Sequence, residues 1–390
     1  MKVPDSLIFS LFQEQDAKLR KKLSDKTLEI STGRKYMDIS DDPPTTYDLL
    51  EIKKDISQLS QYSKNRLFAD TSLSYVDFNL GKIEESLNFL YAKAIQAKNS
   101  VVQPEQLRAI GEVFSSNIRV LLDRMNDQIG GNYIFGGAGL TTKPFDDNNF
   151  QYKASAENFK VWLSDNYQVD VFLNGGEVFK VNVAISNATF TSTGVNFTTG
   201  GTISVTVGTT TTNINYPTTQ TLNDLVNFIN SNHSSLFQAR VNQKTDGTYS
   251  LVLIPTEVSN NISVSDTTGG DFDVGSVDFY SPNMLEVVKT IGDKLNGGKH
   301  PDDTDLMLLQ RSFDRVALRR SQVGSVLSQV KNLQLVYENL EDSLNKHKSD
   351  LEDVELSESI MEYTRYRIAY EALMRIIADQ RDMSILRYIR

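Results

Sequence analysis

Cysteine is absent from the 390-residue chain. That removes disulfides, thiolate metal sites and cysteine nucleophiles together, but it does not fix a compartment, because secreted chains can also lack cysteine. Histidine occurs three times, at His233, His300 and His347, far apart and without a partner at metal-ligand spacing. Ordinary core or surface roles are expected for all three. No G-x-S-x-G elbow is present. The nearest approach to a phosphate loop, residues 292–299 (Gly-Asp-Lys-Leu-Asn-Gly-Gly-Lys), has a glycine too many and no Ser or Thr after the lysine, so it reads as a helix-ending turn. There is no run of about 18 apolar residues, so no membrane-spanning helix is expected. The start, Met1-Lys2-Val3-Pro4-Asp5-Ser6, has no basic region leading into an apolar one, and no Sec-type leader is expected. A cytosolic chain and one exported by a leaderless route would look alike here. With a net charge of −10, phosphate backbones are poor partners. The sequence thus predicts no catalytic, cofactor-binding or metal-binding residues, no nucleic-acid partner and no membrane partner. A carboxylate pair needs no sequence signature, so an enzyme with its site in the central region stays open as a minor reading.

What is present is helical periodicity at both ends. Residues 6–31 carry a stripe of Ile8, Leu11, Phe12, Leu19, Leu23 and Ile30, with Gly33 as the stop. Ser40-Asp41-Asp42-Pro43-Pro44 reads as a helix restart, with a capping side chain and a proline set for the first turn. Leu49, Ile52, Ile56 and Leu59 follow. Then Leu73, Val76, Leu80, Ile83, Leu87, Leu90, Ala94, Ala97 and Val101 alternate at spacings of three and four. That seam amounts to ~45 Å of helix, broken by Pro104. A shorter helix with Ile110, Phe114, Ile118, Leu121 and Met125 ends at Gly130-Gly131. The second long seam is Val323, Val326, Val330, Leu333, Tyr337, Leu340, Leu344, His347, Leu351 and Val354. A sustained 3.5-residue repeat calls for a partner helix, and residues 73–101 are the candidate within the chain.

Between the helical ends the composition turns to Thr, Asn and Gly with period-two runs at 169–173, 181–185 and 203–207. Asn174-Gly175 and Asp246-Gly247 read as hairpin turns, and a short helix is expected from Leu222 to Phe228. Ser281-Pro282 marks the return to helix. The expected fold is α+β and multidomain: a long helical bundle or coiled coil built from both chain ends, with an inserted mainly β domain. The expected divisions are terminal segments 1–44 and 351–390, a discontinuous bundle 45–150 with 283–350, and an insert 151–282.

The last helix has two apolar faces. Met361, Ile368, Ala372, Ile376 and Met383 fall on one, and Tyr363, Tyr366, Tyr370, Leu373 and Ile377 on another. One stripe suits one neighbour, so two stripes call for two: the N-terminal helix of the same chain and a neighbouring subunit. A helix sunk in its own domain is the other reading, set against the few residues left after it to cover the second face. The residues assigned to subunit contacts are Ile8, Leu11, Phe12, Leu19, Leu23, Met361, Tyr363, Tyr366, Ile368, Tyr370, Leu373 and Ile377. The basic cluster Lys18, Arg20, Lys21, Lys22 and Lys26 is either a solvated helix face or an attraction for an acidic segment. Backbone ordering costs ~1–2 kcal/mol per residue, and each large apolar side chain returns ~1.5–3 kcal/mol only when fully buried. The ends are therefore expected to be mobile in the monomer and to order on assembly.

Four stretches resemble bacterial flagellar axial proteins of the flagellin-like superfamily, and among them the hook–filament junction group. They are Met1–Leu7; Ile30-Ser31-Thr32-Gly33-Arg34-Lys35 with Ser40-Asp41-Asp42-Pro43; Gly130-Gly131-Asn132-Tyr133-Ile134-Phe135-Gly136-Gly137 with Pro144-Phe145; and residues 351–389. The segment Thr221–Asn230 with Ala239 and Asp246-Gly247 is similar to a repeat in inserted domains of such proteins. Pro43-Pro44 doubles the usual single proline, and Ile389-Arg390 replaces an apolar end. The resemblance implies a non-enzymatic adaptor present as a ring of copies of itself. It implies contacts with the first hook–filament junction protein on one side and flagellin on the other, and a place in the extracellular flagellum. It also implies unfolded export through the flagellar type III apparatus after a stay in the cytoplasm with an export chaperone. A flagellin-type filament subunit is the alternative within the same superfamily.

Overall fold

The computed structural model describes residues 5–36, 42–266, 268–274 and 277–388, with side chains between residues 10 and 379 of those ranges. Met1–Pro4, Ser40-Asp41, Ile389-Arg390 and the side chains of Ile8 and Met383 lie outside the described residues. Three helices come first: α1 (Asp5–Thr32), α2 (Pro43–Lys98) and α3 (Pro104–Met125). A two-residue hairpin, β1 (Gln128–Ile129) with β2 (Asn132–Tyr133), leads to β3 (Phe159–Ser164), β4 (Tyr167–Phe172) and the short α4 (Gly175–Val178). Then come β5 (Ala184–Ser186), β6 (Gly201–Val207), β7 (Thr210–Tyr216), α5 (Leu222–Asn232), β8 (Phe237–Gln243), β9 (Tyr249–Pro255), β10 (Ile262–Asp266) and β11 (Phe279–Tyr280). The chain finishes in α6 (Met284–Asn296), α7 (Asp303–Glu352) and α8 (Leu356–Tyr388). It divides into two compact units, Met1–Ser63 with Gln334–Arg390, and Lys64–Leu333.

In the larger unit the α2 seam is the spine. Leu73, Val76, Leu80, Ile83, Leu87, Leu90, Ala94 and Ala97 are all buried, as the three–four alternation predicts for a helix covered along one face. They share one apolar cluster with Phe114 and Leu121 of α3, Val288 and Ile291 of α6, and Val316, Val323 and Val330 of α7. Val326 and Leu333 pack against the same cluster. Arg320 of α7 clamps the seam from outside, 3.2 Å from Asp77 and 2.8 Å from Glu84. Helices α3 and α6 approach closely because each offers a glycine: a Cβ on Gly111 would stand 2.2 Å from Asn296 Oδ1, and one on Gly292 3.2 Å from Phe114 Cβ.

Some local readings change. Helix α2 ends at Lys98, and Val101 is exposed in the turn beyond it, where its N–H donates to Asn99 Oδ1 at 3.1 Å. Pro104 opens α3 instead of merely breaking α2, as a proline at the first helical position can. Asn174-Gly175 is not a hairpin turn: the Asn174 side chain accepts from the Glu177 N–H and starts α4. Glycine is required there by packing, since a Cβ on Gly175 would lie 2.8 Å from the Phe145 ring and 2.9 Å from the Phe135 carbonyl oxygen. Only Ala184 onward of the 181–185 run pairs as a strand. Asp246-Gly247 does turn β8 into β9, with Gly247 at φ 90°. Helix α5 runs four residues past Phe228 to Asn232.

The central region holds a three-stranded sheet in the order β10-β6-β7 and a four-stranded sheet in the order β11-β5-β9-β8, both antiparallel. Its own core is aromatic: Phe190, Phe197, Tyr216, Phe272 and Phe279 meet ring to ring, at centroid distances of 4.9–5.7 Å. Two arginines one turn apart on α7 hold this region. Arg311 donates to the carbonyls of Pro255 (2.6 Å) and Glu257 (2.9 Å), and Arg315 to those of Val258 and Glu177 (both 3.3 Å). Burial lowers the pKa of Arg311, Arg315 and Arg319, that of Arg315 to about 10. The hydrogen-bond partners of the buried Arg311 and Arg315 are thus neutral carbonyls.

Truncating the spine should be costly. Ile83→Ala is expected to destabilise the larger unit by about 2–5 kcal/mol, because the tightly packed surroundings relax little. Urea unfolding followed by far-UV circular dichroism checks this; a loss under ~1 kcal/mol would mean that the seam is looser than described.

Candidate assembly surface

The smaller unit brings the two chain ends together. Gly33, at φ 72°, stops α1 and donates its N–H to Glu29 O at 2.8 Å. The chain then runs antiparallel to the α7–α8 turn: Lys35 N–H donates to Glu352 O (2.8 Å) and Val354 N–H to Gly33 O (3.0 Å). The Glu352 carboxylate, 5% exposed, gathers Arg34 (3.0 Å), Lys53 (2.9 Å) and Lys348 (3.8 Å). The Ser-Thr-Gly-Arg element of the sequence is therefore one half of a knot whose other half lies over 300 positions away. Asp42 restarts the helix by accepting from Thr45 Oγ1 (2.7 Å) and, through its carbonyl, from the Thr46 N–H (2.9 Å).

Beyond the knot, α1 and α8 lie side by side and antiparallel. Lys26 bridges Glu29 (2.7 Å) and Glu362 (2.8 Å). Burial works against its charge, but the two carboxylates outweigh that and raise its pKa. Lys22 stands over the Tyr366 ring at 4.9 Å and Arg20 over Tyr370 at 5.7 Å. Leu19 and Leu373, each 8% exposed, are the best-buried apolar residues among those described in this pair. The basic cluster accordingly divides: Lys18 closes on Glu14 (2.5 Å) at the surface, while Arg20, Lys22 and Lys26 reach α8.

The two faces read from the last helix have different environments. Tyr363, Tyr366, Tyr370 and Ile377 are half-buried and Leu373 is buried, as are Phe12 and Leu23 (half) and Leu19 (fully) opposite them. On the other face Met361 is 67% exposed, Ile368 60% and Ile376 49%, and Ala372 is open too. Leu11 of α1 is also exposed. Of the second seam, Tyr337 is buried, Leu344 half-buried and Leu340 exposed. Large apolar side chains are thus left in water along a helix whose opposite face is covered by α1, a patch of the kind that marks interaction sites. Periodicity found these stripes; Glu352 and Lys53 escaped it, because charged residues outside a repeat give no local signal of a distant partner. No group of three or more potential metal ligands occurs among the described residues, and none of their helices is long and apolar enough to cross a membrane.

Replacing the knot carboxylate should loosen the smaller unit alone. Glu352→Gln is expected to speed amide exchange in residues 334–352 and 42–63 roughly tenfold, as loss of about 1.5 kcal/mol in charge-assisted hydrogen bonds implies, while residues 73–97 keep their protection. Unchanged exchange near residue 352 would show the cluster to be idle.

Known proteins share these parts. The bacterial flagellin N-terminal helical region matches residues 12–139 and the bacterial flagellin C-terminal helical region residues 307–389. Flagellar hook-associated protein 3 of Escherichia coli (strain K12) is 24% identical over 152 residues, 39% of this chain and 48% of that protein. The Salmonella typhimurium protein of the same name is 23% identical over 161 residues, 41% of this chain and 50% of that protein. The matches thus span about half the length of these curated relatives. A crystal structure of flagellar hook-associated protein 3 from Legionella pneumophila shares the fold at a TM-score of 0.53 and 16% identity, over 77% of this chain and 98% of that one. With both terminal helical regions matched around a central, mainly β insert, the chain belongs to the flagellin-like family of bacterial flagellar proteins.

Proposed function

We propose that the chain is a structural adaptor of the bacterial flagellum. In this reading a ring of copies joins the first hook–filament junction protein to flagellin, and the chain acts without catalysis. The observation that carries it is the exposed Met361, Ile368, Ala372 and Ile376 face of α8, on a helix whose opposite face is covered by α1. Such a surface is stable in a packed assembly and a liability in an isolated chain. The names of the similar proteins support the junction position over a filament subunit. The terminal segments 1–44 and 351–390 would be the polymerising parts, the helices of 45–150 and 283–350 the body, and residues 151–282 an outward-facing insert. Export would pass unfolded through the flagellar type III apparatus, with a cytosolic chaperone on the C-terminal region. A chain without cysteine suits that passage, since no disulfide must be broken or remade.

Met361→Asp with Ile368→Asp tests this. Both side chains are exposed, so the monomer should melt within about 2 °C of the parent, as surface substitutions generally do. In the source bacterium the variant is expected to leave hooks without filaments and to release flagellin into the medium. Normal filaments on the variant would remove the α8 face from assembly. Growth of the purified parent chain into long filaments by itself would favour a filament subunit instead.

A further inference from the structure

The larger unit has a second uncovered face, on the side of α2 turned away from the seam. Leu67, Phe78 and Phe89 are exposed there and follow one another at intervals of eleven residues, three helical turns with little angular drift. Each phenylalanine has a lysine one turn on. Lys82 lies 5.9 Å from the Phe78 ring and Lys93 5.8 Å from the Phe89 ring. Lys82 also pairs with Glu85 at 2.9 Å on the open surface. The outer face of α3 repeats the same interval with the opposite sign. Glu112 and Asp123 stand eleven residues apart, exposed, and without an ion pair among the described residues. Between them lie Ser116, the exposed Val120 and the exposed Arg119, one turn before Asp123.

We propose that these faces form a head-to-tail contact between copies of this chain, with α2 of one copy lying antiparallel on α3 of the next. The equal intervals let both ion pairs close at once, Lys82 opposite Asp123 and Lys93 opposite Glu112. Phe89 then rests on Ser116 and beside Val120. The direction is the one a ring provides. Within one chain α2 and α3 already run antiparallel, with Tyr75 Oη donating to Asp127 (2.8 Å) and Arg124 Nη1 to Asn79 Oδ1 (3.5 Å). Copies related by rotation about an axis along these helices therefore meet in the antiparallel sense. Because the two surfaces are different and face outward on one molecule, the contact is heterologous and propagates around an axis. The phenylalanines supply the apolar area, and the charges fix register and direction. The inference rests on the reading of the chain as a subunit of an assembly and assigns one of its lateral surfaces.

The absence of native cysteine makes the test direct. Full-length Lys93→Cys and Glu112→Cys chains, one carrying a size tag, are mixed and oxidised. The mixed 93–112 dimer is expected to form at least about tenfold faster than either homodimer, an advantage that added salt reduces. A mixed dimer no more abundant than the homodimers overturns the contact. In otherwise native chains, Lys82→Glu with Lys93→Glu should weaken self-association in sedimentation about tenfold, and adding Glu112→Lys with Asp123→Lys to the same chain should restore it. Failure of the fourfold exchange to restore association also overturns it. Neither experiment involves the α8 face or another flagellar protein, so this contact fails without touching the adaptor reading, and the reverse.

Discussion

The apolar seam of α2 is the constraint on which the other elements depend. From Leu73 to Ala97 it presents an unbroken buried edge, and apolar residues of α3, α6 and α7 join it in one cluster. A three–four alternation can be satisfied only by neighbours that keep step with it, so the seam fixes the register of helices contributed from both halves of the chain. The insert is held by consequence. Arg311 and Arg315, placed by the α7 register, meet the carbonyls of Pro255, Glu257, Val258 and Glu177. Slipping α7 by one residue would swing both cations about 100° around the helix, away from these carbonyls.

The smaller unit is built on weaker terms. Its terminal helices meet through Leu19, Leu373, two cation–ring contacts and the Lys26 bridge, with large apolar side chains left uncovered. Surface ion pairs contribute ~0–1 kcal/mol each, so most of the helix–helix stability must come from a few half-buried side chains. That leaves the unit weakly held by itself, in keeping with the proposal that assembly covers the α8 face. The Glu352 knot then has a defined role. It ties the stop of α1 to the turn before α8, so that the two ends begin their pairing from a fixed point.

The sequence carried much of this because the architecture is periodic. The seam residues, the stop at Gly33, the restart at Pro43 and the turn at Asp246-Gly247 all depend on local chemistry. What escaped was non-local or two-sided. Asn174 caps a helix instead of turning a hairpin because Phe135 and Phe145 pack against the following glycine, which no short window displays. The arginines on α7 gave no signal in the sequence, since their partners are distant backbone carbonyls. The two stripes of the last helix were legible, whereas which of them stays open was not: that follows from Lys22 and Arg20 choosing the tyrosine side.

One face of the terminal helices is covered within the chain, and in the proposed function the other is covered only on assembly. Amide hydrogen exchange on the purified monomer tests it most directly. Fast exchange is expected in residues 5–32 and 358–388 against strong protection in 73–97 and 323–333, because the described side chains of the first pair of segments bury little and the second pair buries a continuous seam. Equal protection across all four would mean that the ends are already complete in the monomer, and would contradict it.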